Sequence, residues 1–282
     1  MPNYAFFDVH SHLHDTAFHN DQDAVIDEMK SYGVASITVG TDLAHSKEAC
    51  ALAAKHENLY ATIGLHPADN VTEEFDKEAF TTLLLENNKV VAVGECGLDY
   101  YYIENFFEKD KETKQLTHNK DAEADRQQRI FEEQVEFACG HNLPLMLHGR
   151  PSKGSMDAYE DMLHILENAK KIHGTKLRGN AHFFAGTIEI AKRFVDIGFT
   201  MSFSGVITFT KDYDDVVRYL PVTMIHAETD SPYATPAPFR GKRNSPMYVQ
   251  EVVAKIAVLR NEPFEEVREQ LLKNARRVFD IV

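Results

Sequence analysis

The stretch Tyr4-Ala5-Phe6-Phe7-Asp8-Val9-His10-Ser11-His12 is a short apolar run that ends in two histidines one residue apart. Alternate side chains of a β-strand leave the same face, so Asp8, His10 and His12 are predicted to point to one side. Neutral imidazole is the commonest side-chain ligand for divalent metals. The stretch therefore predicts a first strand that presents two candidate metal ligands, with Asp8 orienting one of the imidazoles.

Apolar runs of this kind recur along the chain and alternate with amphipathic stretches. Strands are predicted at residues 4–10, 34–40, 59–65, 90–95, 144–148, 177–182, 199–204 and 223–229. Helices are predicted at residues 21–32, 44–56, 73–88, 125–141, 155–172, 186–197, 212–219, 245–260 and 264–280. Because alternating strands and helices pair their strands in parallel, the pattern predicts an α/β fold.

Eight such strands in 282 residues predict a (β/α)8 TIM barrel, with residues 1–282 in a single domain. A doubly wound open sheet is the alternative, because periodicity alone does not show that a sheet closes. Residues 103–124 interrupt the alternation with a mixed-charge loop insertion after the fourth predicted strand. Connections of this length are typical of lids or of solvated excursions without a function.

Composition and charge limit the classes of function. The formal net charge is −14, whereas proteins that neutralise many phosphates along a nucleic acid are usually basic. No apolar run approaches the ~20 residues that span a bilayer, and the first residues lack the pattern of a signal peptide. Cys50, Cys96 and Cys139 have no CxxC spacing, so reduced thiols and a cytoplasmic location are expected.

Ligand-type side chains stand at the carboxyl ends of five predicted strands. They are His10, His12, Glu95, His148, His182 and Asp230. Because the strand ends of a barrel converge on one face, these side chains are predicted to ring one cavity. Four imidazoles and two carboxylates suffice for two divalent metals with one bridging carboxylate, and such a pair can activate water and stabilise a phosphoryl transition state.

Each of these residues has a structural alternative when it is taken alone. A single histidine at a strand end is more often a hydrogen-bonded structural residue, and Glu95 or Asp230 could cap the following helix. Six such coincidences at one end of successive strands favour the metal site. His226 lies inside an apolar run, and it is expected to be a buried core histidine or one that supports a ligand.

Several short motifs follow one another along nearly the whole chain. They are Asp8-Val9-His10-Ser11-His12-Leu13, Gly64-Leu65-His66-Pro67, Gly94-Glu95-Cys96-Gly97-Leu98-Asp99-Tyr100, Leu147-His148-Gly149-Arg150, His182-Phe183-Phe184-Ala185-Gly186, Glu228-Thr229-Asp230-Ser231-Pro232-Tyr233 and Arg240-Gly241-Lys242-Arg243-Asn244-Ser245-Pro246. In this order and spacing they resemble the TatD-type metal-dependent deoxyribonucleases, a branch of the amidohydrolase-like barrel enzymes.

The resemblance implies two divalent metal ions per chain. It assigns the ligands to the metals as His10, His12 and Asp230 for one, His148 and His182 for the other, and Glu95 for both. It also implies that Asp230 accepts the proton of the attacking water, so that Asp230 and Glu95 are the expected catalytic residues. The expected metals are Zn²⁺, Mn²⁺ or Mg²⁺, of which the imidazole-rich set suits the first two better.

The resemblance further implies a deoxyribonuclease that uses metal-activated water to remove nucleotides in the 3′ to 5′ direction. The expected substrates are the ends of single-stranded DNA. Five side chains are candidates for binding phosphate, since guanidinium forks match its oxygens: His66, Arg150, Arg240, Lys242 and Arg243. One alternative is a related two-metal barrel hydrolase for an ester, lactone, amide or aminoacyl-tRNA ester. Another alternative is a catalytically silent scaffold. The basic residues Arg240, Lys242 and Arg243 could also simply belong to a solvated loop.

The chain departs from the family pattern in the expected wall of the cavity. His14 stands where an acidic residue is usual, and Ala68 stands where a histidine is common. Pro151 follows Arg150, and positions 183 and 185 hold Phe and Ala in place of the more usual Cys and Ser. None of these departures removes a predicted ligand, so they bear on the choice of substrate.

Overall fold

Eight parallel strands form one sheet in the order in which they occur along the chain. The computed structural model describes residues 4–106 and 120–281. Its strands are β1 (Phe6–Ser11), β2 (Val34–Val39), β3 (Leu59–Ile63), β4 (Val90–Asp99), β5 (Leu145–Arg150), β6 (Gly179–Ala181), β7 (Phe199–Phe203) and β8 (Ile225–Ala227). Every position of β2 is buried, as in parallel sheets that are covered on both faces.

Helices cover the outer face of the sheet. They are α1 (Gln22–Ser31), α2 (Leu43–Ala53), α3 (Lys77–Glu86), α4 (Tyr100–Phe106), α5 (Lys120–Gly140), α6 (Asp157–His173), α7 (Ile188–Asp196), α8 (Asp214–Tyr219), α9 (Val249–Arg260) and α10 (Phe264–Phe279). The side chains of Asp42, Asp76 and Thr187 start three of them by accepting a backbone N–H of the first turn. Within the described residues, no helix is both long and apolar enough to cross a bilayer.

The sheet closes on itself just beyond β8. Ser11 at the end of β1 and Ser231 form a parallel bridge. The backbone N–H of Asp230 donates to the carbonyl oxygen of His10 at 2.9 Å, and that of His12 donates to Ser231 at 2.8 Å. The prediction of a single-domain TIM barrel is confirmed, and the open sheet is excluded.

Asp8 holds this closure together, and the prediction that it orients an imidazole is wrong. Its carboxylate accepts the backbone N–H of Thr229 at 2.8 Å and the hydroxyl of Thr229 at 2.6 Å. It also accepts the backbone N–H of His10, at 3.2 Å, rather than a ring nitrogen. The side chain is fully buried and joins β1 to the segment that follows β8.

Two boundaries differ from the predicted ones in ways that affect the cavity. β4 runs on to Asp99, because residues 96–99 pair with β5 beyond the predicted end at Glu95. β8 begins later than predicted, since residues 222–224 form a 3-10 turn. Within the predicted loop insertion 103–124, α4 covers the start and α5 covers the end, while residues 107–119 lie outside the described residues.

Candidate metal centre

A cavity of about 940 Å³ opens at the carboxyl ends of the strands. The structure brings together the six side chains predicted as metal ligands, five of which line this cavity, while His10 lies fully buried beneath it. Each comes from the end of its predicted strand or from the segment just beyond it. The spacing of the motifs therefore places all six in one cluster, as the convergence of barrel strands requires.

Glu95 lies at the middle of the cluster, and its two carboxylate oxygens face different imidazoles. Oε2 is 3.3 Å from Nε2 of His10 and 3.9 Å from Nε2 of His12. Oε1 is 2.8 Å from Nδ1 of His148 and 2.9 Å from Nε2 of His182. The two oxygens of one carboxylate thus face two different sets of histidines.

The backbone around Glu95 explains how this side chain reaches the centre of the barrel. The N–H of Glu95 donates at 2.8 Å to the carbonyl oxygen of Gly40, which follows β2, and so crosses the end of β3. Gly64 directly follows β3 at this level. A methyl group there would lie 2.7 Å from the backbone of Gly94, closer than real Cβ atoms approach. The absence of a side chain at position 64 therefore lets β4 come near β2.

Asp230 completes the half of the cluster around His10 and His12. Its Oδ1 is 3.5 Å from Nε2 of His12 and 3.7 Å from Nε2 of His10. The residue has a φ of 54°, a left-handed conformation that aspartate adopts more readily than most residues. This turn directs the carboxylate into the site immediately after the closure of the barrel.

Outer hydrogen bonds fix three of the imidazoles by their second ring nitrogen. Nε2 of His148 is 3.2 Å from Oδ2 of Asp99, and Nδ1 of His182 is 3.3 Å from Oε1 of Glu228. Nδ1 of His12 is 3.0 Å from the carbonyl oxygen of Val39. An acceptor on one nitrogen holds the proton there and leaves the lone pair of the other nitrogen directed at the cluster. This is the arrangement that metal-binding histidines require.

The charges of the cluster are coupled. Burial opposes ionisation of Glu95, but the neighbouring His182 and His10 bring its pKa well below the usual value. Burial also opposes the charge on His148, yet hydrogen bonds to Asp99 and Glu95 raise the pKa of His148 to about 9. In the absence of metal the cluster therefore holds protons, and a metal ion binds by displacing them.

The spacing of the donor atoms fits divalent metal ions. Three groups have their donor atoms within 4.8 Å of one another: His10, His182 and Asp230; His10, His12 and Glu95; and His66, Glu95 and His148. The Nε2 atoms of His10 and His12 are 3.2 Å apart. Neighbouring donors of a tetrahedral zinc ion are about 3.3 Å apart, given metal–nitrogen bonds of about 2.0–2.1 Å. Imidazole and carboxylate donors at these separations are therefore consistent with the binding of divalent metal ions.

His66, predicted to bind phosphate, lies in the cluster itself. Its Nε2 is 3.7 Å from Oε1 of Glu95, and its Nδ1 is 2.9 Å from Oδ1 of Asp69. Arg150 lies at the rim of the cavity, where its guanidinium stacks on Tyr101 at 4.0 Å and is 54% exposed. Of the residues predicted to bind phosphate, His66 therefore lies at the centre of the cavity and Arg150 lies at its mouth.

The other three predicted phosphate ligands do not line the cavity formed by the described part of the chain. Arg240 stacks on Phe209, 3.9 Å from the ring centre. Arg243 makes two hydrogen bonds to Asp21, at 2.7 and 2.8 Å. Lys242 belongs to the same loop, so any contact of these residues with a substrate would lie outside the cavity.

Two carboxylates that support the cluster, Asp99 and Glu228, were not predicted from the sequence. Asp99 lies four residues after Glu95 on β4, so the alternation of a strand places both on one face. This signal was hidden by the expectation that the strand ended at Glu95. Glu228 stands two residues before Asp230, but β8 ends at Ala227, so strand alternation does not indicate its role. His226 is fully buried and bonds to Thr200, which confirms its predicted place in the core.

Known proteins are similar to this chain over nearly its whole length. The model of the TatD related DNase family matches residues 7–280. An uncharacterized metal-dependent hydrolase of Bacillus subtilis, YabD, is 35% identical over 98% of this chain and 99% of its own length. The uncharacterized metal-dependent hydrolase YcfH of Escherichia coli is 34% identical over 97% of this chain and 95% of its own length. The crystal structure of the TatD homolog YJJV from Escherichia coli matches with a TM-score of 0.82 at 29% identity, covering 99% of both chains. The chain therefore belongs to the TatD-related DNase family of metal-dependent hydrolases.

Proposed function

We propose that this protein is a deoxyribonuclease that removes nucleotides from the 3′ ends of single-stranded DNA with the help of two divalent metal ions. The observation that carries the proposal is the division of Glu95 between two sets of imidazoles, His10 and His12 on one oxygen and His148 and His182 on the other. A carboxylate placed in this way suits two neighbouring cations better than one. Bound metals would activate a water molecule and stabilise charge on a phosphodiester.

The residues of the chain supply the remaining parts of the reaction. His10, His12 and Asp230 would hold one metal, His148 and His182 the other, and Glu95 would contact both. Burial opposes ionisation of Asp230, but a hydrogen bond to His12 and the charges of His182 and His10 lower its pKa. Asp230 is thus a carboxylate at neutral pH and can accept the proton of the attacking water.

Basic side chains would position the DNA. Arg150 offers an exposed guanidinium at the cavity mouth, where it can bind a phosphate near the scissile bond. His66 would contact the same phosphate from inside the cavity, or serve as a further ligand beside Glu95 and His148. Arg240, Lys242 and Arg243 would contact phosphates farther along the strand. A few local cations of this kind reconcile a DNA end with a chain of net charge −14.

The proposal is tested by a nuclease assay across metals and strand types. Metal-free protein, reconstituted with Mg²⁺, Mn²⁺ or Zn²⁺, should shorten a 5′-labelled single-stranded oligonucleotide stepwise from its 3′ end. Glu95→Gln should lower this activity by roughly 10³-fold, since it removes several kcal/mol of metal-dependent stabilisation. Glu86→Gln, on the exposed end of α3, is the matched control and should retain activity.

Two results would overturn the proposal. Reconstituted protein that leaves DNA intact but hydrolyses esters, lactones, amides or aminoacyl-tRNA would point to the related class of barrel hydrolase. Fewer than one divalent ion bound per chain after reconstitution would contradict both hydrolase functions. Circular dichroism of Glu95→Gln separates loss of the site from loss of the fold.

A further inference from the structure

A row of aromatic rings crosses one side of the cavity. The ring centres of Tyr233 and His12 are 6.2 Å apart, those of His12 and His14 are 6.1 Å apart, and those of His14 and His45 are 5.7 Å apart. All four side chains line the cavity. Of these rings only His12 belongs to the proposed metal site. The other three, Tyr233, His14 and His45, form an aromatic wall that has no role in the proposed metal chemistry.

The barrel places this wall opposite the proposed phosphate contact. His14 follows β1, and Tyr233 follows β8, which adjoins β1 at the closure. Arg150 ends β5, which is four positions from β1 in a closed ring of eight strands. A substrate held at the metal cluster would therefore have Arg150 on one side and the aromatic wall on the other.

The side chains on the two sides of the cavity also differ in charge, since Arg150 lies on one side and carboxylates lie beside the aromatic wall. His14 presents its ring in this wall, and its Nδ1 lies 2.9 Å from the hydroxyl oxygen of Thr38. Asp15 and Asp42 line the cavity beside it. A phosphate would be repelled along this wall, whereas an uncharged planar group could stack there.

Tyr233 is held in place although its side chain faces solvent. The residue is 57% exposed. Its backbone N–H donates to the carbonyl oxygen of Asp230 at 2.8 Å, and the buried amide of Asn244 binds its carbonyl oxygen and that of Thr229. A tyrosine that is fixed at its backbone and open on its ring loses little conformational entropy when a flat group stacks on it.

We infer that Tyr233 and His14 form a subsite for the 3′-terminal nucleobase of the substrate, across the metal cluster from Arg150. The inference rests on the proposed deoxyribonuclease function and deepens it, because it assigns base and phosphate to opposite sides of the cavity. Stacking of a base on an aromatic ring depends little on its sequence. The subsite thus selects for the presence of a base at the strand end and little for which base it is.

The test compares two single-stranded oligonucleotides that differ only in the 3′-terminal residue, which is thymidine in one and an abasic tetrahydrofuran in the other. For the wild type we expect kcat/KM to be about tenfold higher with the base, mainly through KM, as one stacked base provides. Tyr233→Ala should reduce this ratio to near one, and Tyr233→Phe should preserve it. Tyr32→Ala is the control, because Tyr32 is 59% exposed and precedes β2 at the opposite end of the barrel.

Binding measured by calorimetry supplies a second readout with the metal-reconstituted proteins. Thymidine 5′-monophosphate should bind the wild type about tenfold more tightly than deoxyribose 5-phosphate does, and Tyr233→Ala should abolish the difference. Equal affinities of the wild type for the two ligands, or the same ratio of affinities in Tyr233→Ala as in the wild type, would contradict the proposed subsite. If the wild type cleaves no DNA at all, the proposed function fails, and the binding comparison alone decides the inference.

Discussion

The backbone N–H of Asp230 donates a hydrogen bond of 2.9 Å to the carbonyl oxygen of His10. This bond belongs to the closure of the barrel. Both residues also present side chains to the cluster of predicted metal ligands, where Nε2 of His10 is 3.7 Å from Oδ1 of Asp230. Stability and metal binding therefore share one piece of backbone. Changes that loosen the closure should weaken the cluster even when they leave every ligand in the sequence.

Asp8 tests this link, because it holds the closure without facing the cavity. Asp8→Ala removes three buried hydrogen bonds, to Thr229 and to the backbone of His10, and should cost about 3 kcal/mol of unfolding free energy. Asp8→Asn keeps an acceptor for the backbone N–H groups and should cost about 1 kcal/mol or less. Urea unfolding of the metal-free proteins measures both values, and equal losses in the two variants would contradict the role given to the carboxylate.

The two outer carboxylates should control metal affinity without being ligands. Asp99→Asn and Glu228→Gln each put an N–H where His148 or His182 needs an acceptor, and each should weaken metal binding by about 10- to 100-fold. Competition with a chelator of known affinity gives the measurement. Asp27→Asn, on an exposed face of α1, is the matched control. Unchanged affinity in both outer variants would show that the hydrogen bonds do not orient the imidazoles.

His226 should make the protein less stable in acid. Burial, helped by the charge of Arg277, lowers the pKa of His226 to about 3, while an unfolded chain binds this proton near pH 6.5. The stabilisation from neutral His226 is therefore fully present above pH 6.5, and the free energy of unfolding decreases as the pH falls from 6.5 toward 3. At pH 5 the decrease amounts to about 2 kcal/mol. His226→Gln keeps a donor for Thr200 but does not titrate. The stability difference between wild type and variant should shrink by that amount from pH 7.5 to 5; a constant difference would contradict the prediction.

Arg150 and Lys242 should affect substrates of different lengths. Arg150→Ala should raise KM by about tenfold for dinucleotides and long strands alike, because its proposed phosphate lies next to the scissile bond. Lys242→Ala should raise KM for long strands only and reduce the dependence of KM on salt, since its contact would lie outside the cavity. Steady-state kinetics on a dinucleotide and a 12-nucleotide strand distinguish the two effects. The same length dependence in both variants would place both contacts on one phosphate.

The convergence of the strand ends on one cavity was predicted from the sequence, although the exact ends of β4 and β8 were not. Strand ends in a barrel converge whatever the details of packing, so His10, Glu95 and His182 could be placed together from their positions alone. The closure could not be predicted in this way. It depends on hydrogen bonds between Asp8 and Thr229, which are 221 residues apart, and no local pattern indicates that pairing.

Supporting residues were harder to predict than ligands for a physical reason. A ligand is recognised by its chemical type at a strand end, whereas Asp99 matters because β4 continues to pair with β5 past Glu95. The approach of β4 to β2 depends on the missing side chain of Gly64, and this contact is visible only in three dimensions. The use of the cavity wall by Tyr233 and His14 likewise depends on which strands lie opposite each other.

The closure of the barrel also bears on the order of events during synthesis. His10 leaves the ribosome more than two hundred residues before Asp230, yet the two belong to one cluster and one backbone contact. A nascent chain that still lacks Asp230 has the first histidines but neither the carboxylate nor the contact that seals them in place. The complete set of predicted ligands and the contact that closes the barrel are therefore assembled only after the segment that follows β8 has been synthesised.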